Sequence, residues 1–291
     1  VPVNRVLLNK TSTTLTVGGT ETLTATVAPD NATDKTVTWT SSNPSVATVE
    51  NGVVTAVAPG TAVITVTTQD GNKTATCTVT VTARTYNISV APDRLDFSSV
   101  NVGYEIPPTA QTVTITNTGN QSVTVNLPTS TNYTITAGTD FTNGTAILAP
   151  NGTAQFTVQP KTGLGVGTYS ETITISGSNG ASASLAASFA VSAVPVTSVT
   201  LNHNQASLYY NRTPNTLTLT ATVAPDNATN KAVNWTSSDS TVAAVDQNGV
   251  VTALARGTAV ITATAADGNG ASASCTVTVS RYSSGGGSSS S

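Results

Sequence analysis

The sequence predicts an all-β protein made of tandem β-sandwich modules, and three observations lead to this prediction. Apolar residues alternate with threonine through many short segments, and turn residues separate those segments. Threonine, which is β-branched and favoured in strands, accounts for about a fifth of the 291 residues. One stretch of sequence occurs twice, once near each end of the chain.

The alternation has a period of two. In residues 22–27 each threonine is followed by an apolar residue: Thr22-Leu23, Thr24-Ala25 and Thr26-Val27. The same pattern recurs in residues 36–40 and 76–81. Because successive side chains of a strand point to opposite faces, this pattern indicates strands with one packed face and one wet face. No stretch has the periodicity of a helix, so strands are expected throughout.

The repeated stretch sets the module boundaries. Residues 15–82 and 217–279 belong to two copies of one unit of about 85 residues, and the length differences between the copies fall at turns. Turn signals such as Asn51-Gly52 and Asp70-Gly71 recur every 8–12 residues or so, which predicts about seven short strands in each copy. We predict a first repeat at residues 1–83, a middle module at 84–194, a second repeat at 195–281, and a Ser/Gly linker or disordered tail at 282–291.

The repeats resemble a known family. The first reads VAPDNAT, then VTWTSSNPSVATVENGVVTAVAPGTAVITVTTQDGNKTATCTVTV, and the second reads VNWTSSDSTVAAVDQNGVVTALARGTAVITATA. This is similar to the bacterial immunoglobulin-like domain of group 2, found in intimin- and invasin-type adhesins and other surface proteins. The resemblance implies an immunoglobulin-like sandwich at the bacterial cell surface or in a secreted protein. It is specific for fold and leaves the function open.

The middle module is expected to be another sandwich of similar size. Its segments Leu95–Phe97, Thr116–Asn120 and Gly167–Tyr169 resemble Hydin/ASH-type immunoglobulin-like modules. Asn117 together with Gly119-Asn120 is expected to turn one hairpin, because Asn and Gly tolerate positive φ. We therefore predict three tandem immunoglobulin-like domains.

The composition excludes several partners. Charged residues make up 9% of the chain, the net charge is -3, and the eleven Lys and Arg are scattered. Nucleic-acid binding needs clustered positive charge, so no nucleic-acid partner is expected. No segment approaches the roughly 20 apolar residues of a membrane span, so no membrane insertion is expected within this sequence. We expect a monomer.

The reactive residues do not form a catalytic set. Cys77 and Cys275 share the apolar phase of equivalent strands, so both are expected to be buried free thiols. His203 is the only histidine and is expected at the surface. Catalysis needs an acid, a base, a nucleophile or a metal that converge in a pocket. We predict no enzymatic activity, and we assign no catalytic, cofactor-binding or metal-binding residues.

Aspartates and glycines have simple interpretations. The aspartates at turns are expected to bind their own backbone: Asp30, Asp34, Asp70, Asp226 and Asp267. Ca²⁺ at a domain junction is the alternative, since hard cations take oxygen ligands, but no EF-hand-type loop occurs. Gly163–Gly167 lacks the Lys-Ser/Thr of a phosphate-binding loop and is expected to be a plain loop.

The aromatic residues divide into core and surface. Trp39 and Trp235 occupy equivalent positions on the apolar phase and are expected in the core. Of Tyr209 and Tyr210, one is expected to point inward and one outward. Further candidates for exposed aromatic rings in the middle module are Tyr86, Tyr104 and Tyr133.

Three functions are compatible with these sequence features. Tandem sandwiches with short connectors, Thr82–Arg84 and Ser192–Pro195, are expected to form a semi-rigid stalk or adhesive region. The alternatives are a module that binds a glycan or a host surface protein, and an accessory region of a secreted carbohydrate-active enzyme. The middle module is the better binding candidate, because it carries the longer irregular stretch Leu127–Gly144.

Overall fold

The computed structural model describes residues 1–283, and almost all of their regular structure is β-strand. The one helical element in this range is a three-residue 3-10 turn, Ser178–Gly180. The chain packs as two compact units. The first contains Val1–Leu95, Ala110–Gln159 and Glu171–Ala187, and the second contains Asp96–Thr109, Pro160–Ser170 and, of the described residues, 188–283. Residues 284–291 of the predicted tail lie outside the described residues.

The first repeat forms three sheets. Strands β2, β9, β8 and β5 make a four-stranded sheet in that order, β3, β7 and β6 a three-stranded sheet, and β1 and β4 a pair. The nine strands are β1 Arg5–Leu8, β2 Ser12–Thr16, β3 Thr20–Thr22, β4 Ala25–Ala28, β5 Val37–Ser41, β6 Ala47–Glu50, β7 Val53–Ala56, β8 Gly60–Thr68 and β9 Thr74–Thr82.

The structure has nine strands where about seven were predicted, because two runs exchange partners. Residues 5–16 pair first with β4 and then, in parallel, with β9. Residues 20–28 pair first with β7 and then with β1. Each run is continuous in sequence, so the alternation pattern predicts one strand. In the structure the run forms two strands, because it crosses from one sheet to the other.

The middle module has a four-stranded sheet in the order β10, β13, β17 and β15, a second sheet in the order β11, β19 and β12 with β18 beside β19, and the pair β14 and β16. The strands are β10 Ile88–Ala91, β11 Arg94–Asp96, β12 Val100–Asn101, β13 Gln111–Asn117, β14 Val123–Asn126, β15 Tyr133–Ala137, β16 Thr145–Leu148, β17 Thr153–Pro160, β18 Gly167–Ser176 and β19 Ser182–Ser192.

The second repeat reproduces the first strand by strand, with sheets in the orders β21-β28-β27-β24, β22-β26-β25 and β20-β23. The strands are β20 Ser198–Leu201, β21 Gln205–Tyr209, β22 Thr216–Thr218, β23 Ala221–Ala224, β24 Val233–Ser237, β25 Ala243–Val245, β26 Val250–Ala253, β27 Gly257–Ala265 and β28 Ser272–Ser280. The register is also shared: Ile64 lies opposite Cys77, and Ile261 lies opposite Cys275.

The cores follow the predicted alternation. Along β8 every second residue from Ala62 to Thr68 is buried, and Val63, Thr65 and Thr67 between them are more exposed. Trp235 is buried in the core of the second repeat, and Trp39 is half-buried between two apolar clusters of the first. Both tryptophans therefore serve the core, as predicted.

The predicted hairpin at Asn117–Asn120 is wrong. β13 pairs with β10 and β17, whereas β14 pairs with β16, so the chain changes sheets at this point instead of turning back. Asn117 is fully buried, and its side chain binds neighbouring backbone. Glycine is needed at 119 because a Cβ there would overlap the carbonyl of Thr85.

The stretch Leu127–Gly144 is less irregular than predicted. It contains β15, and Tyr133 at the start of that strand is 1% exposed. The loop before β15 is held by Glu171, whose carboxylate accepts hydrogen bonds from the backbone N–H groups of Thr131 (3.0 Å) and Asn132 (3.1 Å). Burial would raise the pKa of Glu171, but these bonds outweigh it and lower the pKa.

We expect Glu171→Gln to destabilise the middle module by about 1 kcal/mol at pH 7, because hydrogen bonds to a charged acceptor are the stronger ones. A lowered pKa stabilises the fold above the ordinary value of about 4.3, and this contribution disappears as pH falls through the folded-state pKa. Thermal unfolding at pH 7 and at about pH 2.5 measures both effects. The difference in stability between wild type and Glu171→Gln should shrink at low pH. Glu50→Gln, at an exposed glutamate, should leave the stability unchanged at both pH values. Equal stability at pH 7 would contradict this role.

Candidate functional site

Both cysteines are buried, as the sequence predicted. Cys77 and Cys275 are free thiols with no exposed surface, and burial raises the pKa of each. The sulfur atom of each lies 4.0 Å from the backbone carbonyl oxygen of the next residue. A buried, protonated thiol is a poor nucleophile. Both cysteines therefore act as small core residues.

His203 is exposed, in the turn between β20 and β21. Among residues 1–283, no three His, Cys, Asp or Glu side chains lie close enough together to hold a metal ion. The same residues include no helix long and apolar enough to cross a membrane.

Two of the turn aspartates do more than shape their own turns. Asp70 and Asp267 occupy equivalent β8–β9 and β27–β28 hairpins. Asp70 accepts a hydrogen bond from the backbone N–H of Val3 (2.9 Å), and Asp267 accepts one from Val196 (2.7 Å). The bond from Val196 is the main cause of the lowered pKa of Asp267. These carboxylates fasten the first residues of each repeat.

The remaining turn aspartates behave more locally. Asp34 accepts a hydrogen bond from the N–H of Thr36 at 2.8 Å, and the interactions with Thr36 lower its pKa. Asp30 and Asp226 are exposed beside the prolines that follow β4 and β23. Asp34 therefore binds the backbone of its own turn, as predicted, and the structure places Asp30 and Asp226 at turns.

The leading segment of each repeat, Val1–Val3 and Val194–Val196, is held at a second point. The backbone N–H of Val194 donates to the hydroxyl of Thr229 at 2.7 Å, and the N–H of Thr229 donates to the carbonyl of Val194 at 2.9 Å. Val1 and Thr33 make the equivalent pair of bonds in the first repeat. The sequence Val-Pro-Val at both places was a signal for this feature, and sequence reasoning missed it.

The first connector is held from both sides. Arg84 donates from Nε to the carbonyl of Val17 in the first repeat at 2.9 Å. On the other side, the Asn120 side chain accepts from the N–H of Thr85 and donates to the carbonyl of Ala83, each at 2.8 Å. The N–H of Asn120 also donates to the Thr85 side chain at 3.0 Å. This short segment is therefore bonded to both neighbouring modules, through its own Arg84 side chain on one side and through the Asn120 side chain on the other.

The second connector is shorter than the sequence predicted. β19 continues to Ser192, whose carbonyl accepts a hydrogen bond from Val102, and Val194 is already bonded to Thr229. Between these two anchored residues lies Ala193 alone. Pro195 follows, with its φ fixed by its ring.

The tyrosines differ in exposure. Tyr209 is 41% exposed and Tyr210 is half-buried against the core, which confirms that one points outward and the other inward. Tyr133 is in the core, whereas Tyr86 and Tyr104 are half-buried.

The glycine-rich loop Gly163–Gly167 is a plain loop before β18, as predicted. Tyr169 donates from its hydroxyl to the carbonyl of Gly165 at 2.8 Å, and its ring stacks on Phe189. Tyr104 contacts Phe189 edge-on and donates to the carbonyl of Lys161. The tyrosines hold the loop through its carbonyl groups.

Comparison with models of protein families shows which family the chain belongs to. The model of the bacterial Ig-like domain (group 2) matches residues 2–79 and 195–277, which together are more than half of the chain. The chain belongs to this family. Residues 87–189 match the HYDIN/CFA65/VesB-like, Ig-like domain. Both resemblances seen in the sequence are confirmed, and so is the fold class of three immunoglobulin-like domains.

Several curated proteins match part of the chain. The chain is 53% identical over 83 residues to an Ig-like virion protein of Serratia phage KSP90, covering 28% of this chain and 32% of that protein. It is 54% identical over 89 residues to an uncharacterised protein of Clostridium acetobutylicum, covering 31% and 9%. A lacto-N-biosidase of Bifidobacterium bifidum is 56% identical over 63 residues, covering 22% and 6%. The chain thus spans a third or less of the length of these relatives.

Among solved structures, mouse cadherin-23 EC22-24 aligns over 96% of this chain and all of that chain, with 16% identity and a TM-score of 0.42. Domains 4 and 5 of the S-layer protein SbsC align over 66% of this chain and all of that chain, with 24% identity and a TM-score of 0.41.

Proposed function

We propose that this chain is a non-catalytic, extracellular spacer or adhesion region of a bacterial cell-surface protein. The observation that carries the proposal is the fastening of both connectors by side chains. Asn120 and Arg84 hold the first, and Thr229 holds the second next to Ser192. A chain that only linked independent domains would need no such bonds, because motion between domains is the default.

The surface chemistry agrees with this role. The wet faces of the strands are covered mainly by threonine, which is soluble and forms strands without many charges. The proposed function needs no cofactor, no metal and no nucleic acid, and we propose that the chain acts as a monomer. Module boundaries at residues 83, 194 and 281 belong to the same proposal.

A second candidate is an accessory region of a secreted carbohydrate-active enzyme. It is supported by the relatives named for such activities: the lacto-N-biosidase, an α-L-arabinofuranosidase of Bifidobacterium longum and a κ-carrageenase of Pseudoalteromonas carrageenovora. Each shares only part of its length with this chain. Under this candidate the modules would hold a catalytic domain at a distance, and the connectors would serve the same purpose.

We expect Asn120→Ala to loosen the first connector. The variant loses the hydrogen bonds to Ala83 and Thr85. At an exposed site these two bonds contribute about 1–2 kcal/mol to the free energy that holds the connector in place, so the population of the loosened state rises roughly tenfold. Nitrogen-15 relaxation by NMR measures the result. In the wild type, amides of the first repeat and of residues 110–126 should share one rotational correlation time, and in the variant the first repeat should tumble faster.

A matched control is Asn126→Ala, which removes an exposed asparagine side chain that donates to Ser176 within the middle module. It should leave the correlation times unchanged. If the first repeat already tumbles independently in the wild type, the spacer proposal fails.

A further inference from the structure

One end of the second repeat gathers five exposed side chains from four separate segments. This Arg/Tyr surface consists of Tyr209, Arg212, Arg256, Arg281 and Tyr282. Tyr209 ends β21 and pairs with Ser280, directly before Arg281 and Tyr282. Arg256 precedes Gly257, which lies opposite Val279. Asn215 accepts a hydrogen bond from the N–H of Ala253 through its backbone carbonyl and donates one to the Ala253 carbonyl through its side-chain amide, which brings the segment that carries Arg212 to the same end.

The aromatic part of this surface is fixed in place. Asn211 accepts from the N–H of Tyr282 at 2.7 Å and donates to its carbonyl at 3.1 Å. The guanidinium carbon of Arg212 lies 4.3 Å from the centre of the Tyr282 ring, and Tyr209 meets that ring edge-on at 5.5 Å. The two rings nevertheless stay 41% and 40% exposed. Rings held rigidly yet left open to solvent lose little entropy when a ligand covers them.

The charged part has one sign. Arg212, Arg256 and Arg281 are all the arginines of the second repeat, and none of them forms an ion pair within the described residues. Three of the aspartates of this repeat lie towards the opposite end: Asp226, Asp246 and Asp267. The fourth, Asp239, accepts hydrogen bonds from Thr241 and Val242 that lower its pKa and keep it ionised, so three arginines are set against one carboxylate outside the opposite end. The surface is therefore locally positive in a chain of net charge -3.

The first repeat lacks this surface. The aligned sequences place Thr16 at the position of Tyr209, Pro59 at Arg256, Ala83 at Arg281 and Arg84 at Tyr282. The residues around Arg212 belong to an insertion that replaces Gly18-Gly19. The fold needs none of the five side chains, since the first repeat builds the same strands without them. Their collection at one end calls for another explanation.

We propose that the Arg/Tyr surface binds an anionic polysaccharide, one that carries carboxylate or sulfate groups. Guanidinium groups bind such planar or tetrahedral anions through paired hydrogen bonds. Open tyrosine rings offer an apolar face with a polar tip, which suits the C–H face and hydroxyls of a sugar ring. An acidic peptide would use the arginines but would gain less from the rings. This binding activity goes beyond the spacer role and does not depend on it.

The test uses the whole chain and polygalacturonate, with its fully methyl-esterified form as an uncharged probe of the same backbone. We expect the wild type to bind polygalacturonate by calorimetry and not its ester. The triple variant R212S/R256P/R281A, which lacks the three arginines, should bind about tenfold more weakly, because exposed charge contacts are individually weak. A rise in salt concentration from 50 to 200 mM should weaken binding of the wild type by a similar factor, because salt screens these contacts. Tyr282→Ala should weaken polygalacturonate binding but leave any binding of poly-L-glutamate unchanged.

The control variant, K35A/K73A/K231A, removes three exposed positive charges elsewhere and so has the same net charge as the arginine variant. It should bind like the wild type. The proposal is overturned if the wild type does not bind polygalacturonate, if both triple variants lose affinity equally, or if poly-L-glutamate binds as tightly as the polysaccharide. Trp235 fluorescence and thermal unfolding verify that each variant is folded.

Discussion

Replacing Asn117 by alanine is expected to destabilise the middle module by about 3–5 kcal/mol, since several buried groups lose their partners at once. Asn117 has no exposed surface, and its amide donates to the carbonyls of Gln121 (2.8 Å) and Leu148 (2.9 Å). Its side-chain oxygen accepts from the N–H of Gly119 at 2.9 Å. Alanine removes all three bonds. The N–H of Gly119 keeps a longer bond to the carbonyl of Asn87 at 3.2 Å, whereas the enclosed carbonyl of Leu148 loses a partner that water does not easily replace.

Differential scanning calorimetry measures this effect. The chain has two tryptophans, one in each repeat, so their fluorescence should report unchanged unfolding of the repeats while the middle module melts earlier. Asn126→Ala, at an exposed asparagine, should cost less than about 0.5 kcal/mol. A loss of under about 1 kcal/mol for Asn117→Ala would show that water replaces the side chain, and the role assigned here would be wrong.

The sequence predicted those features that depend on local chemistry. Alternation of valine and threonine located the strands, because one buried face with a period of two leaves a direct trace in the sequence. Asp70-Gly71-Asn72 was recognised as a hairpin, and the structure gives Gly71 and Asn72 positive φ values of 74° and 46°. The burial of both cysteines followed from the same alternation.

Features that depend on distant partners were missed. Asn117 lies in a run of turn-forming residues, so it was interpreted as a turn, yet one of its partners is Leu148, 31 positions away. Thr229 holds Val194 from 35 positions away. Nothing local distinguishes a threonine that fastens a connector from one that covers a strand.

The Arg/Tyr surface shows the same limit. Its members are spread from Tyr209 to Tyr282, and only the pairing of β21 with β28 and β27 with β28 brings them to one end. Aligning the two repeats identifies the residues that differ. Only the strand pairing shows that these residues lie at the same end of the second repeat.

Gly249→Ala is expected to destabilise the second repeat by roughly 3 kcal/mol, through two separate effects. Gly249 has a φ of +79°, a conformation that costs an alanine about 1–2 kcal/mol. A Cβ at this position would also overlap the carbonyl oxygen of Leu219 and come within 2.9 Å of the Trp235 ring. The surroundings cannot easily move, since Leu219 is 1% exposed and its N–H donates to the carbonyl of Gly249.

Trp235 is itself the reporter for this experiment, once Trp39→Phe removes the other tryptophan signal. Gly268→Ala separates the two effects, because Gly268 has a φ of +88° but an added Cβ would meet no atom within 4 Å. It should therefore lose only the backbone contribution, about 1–2 kcal/mol. Equal losses at 249 and 268 would mean that the chain around Leu219 and Trp235 shifts at little cost. In that case the dense contact between this turn and the tryptophan would not be what fixes the turn in the repeat.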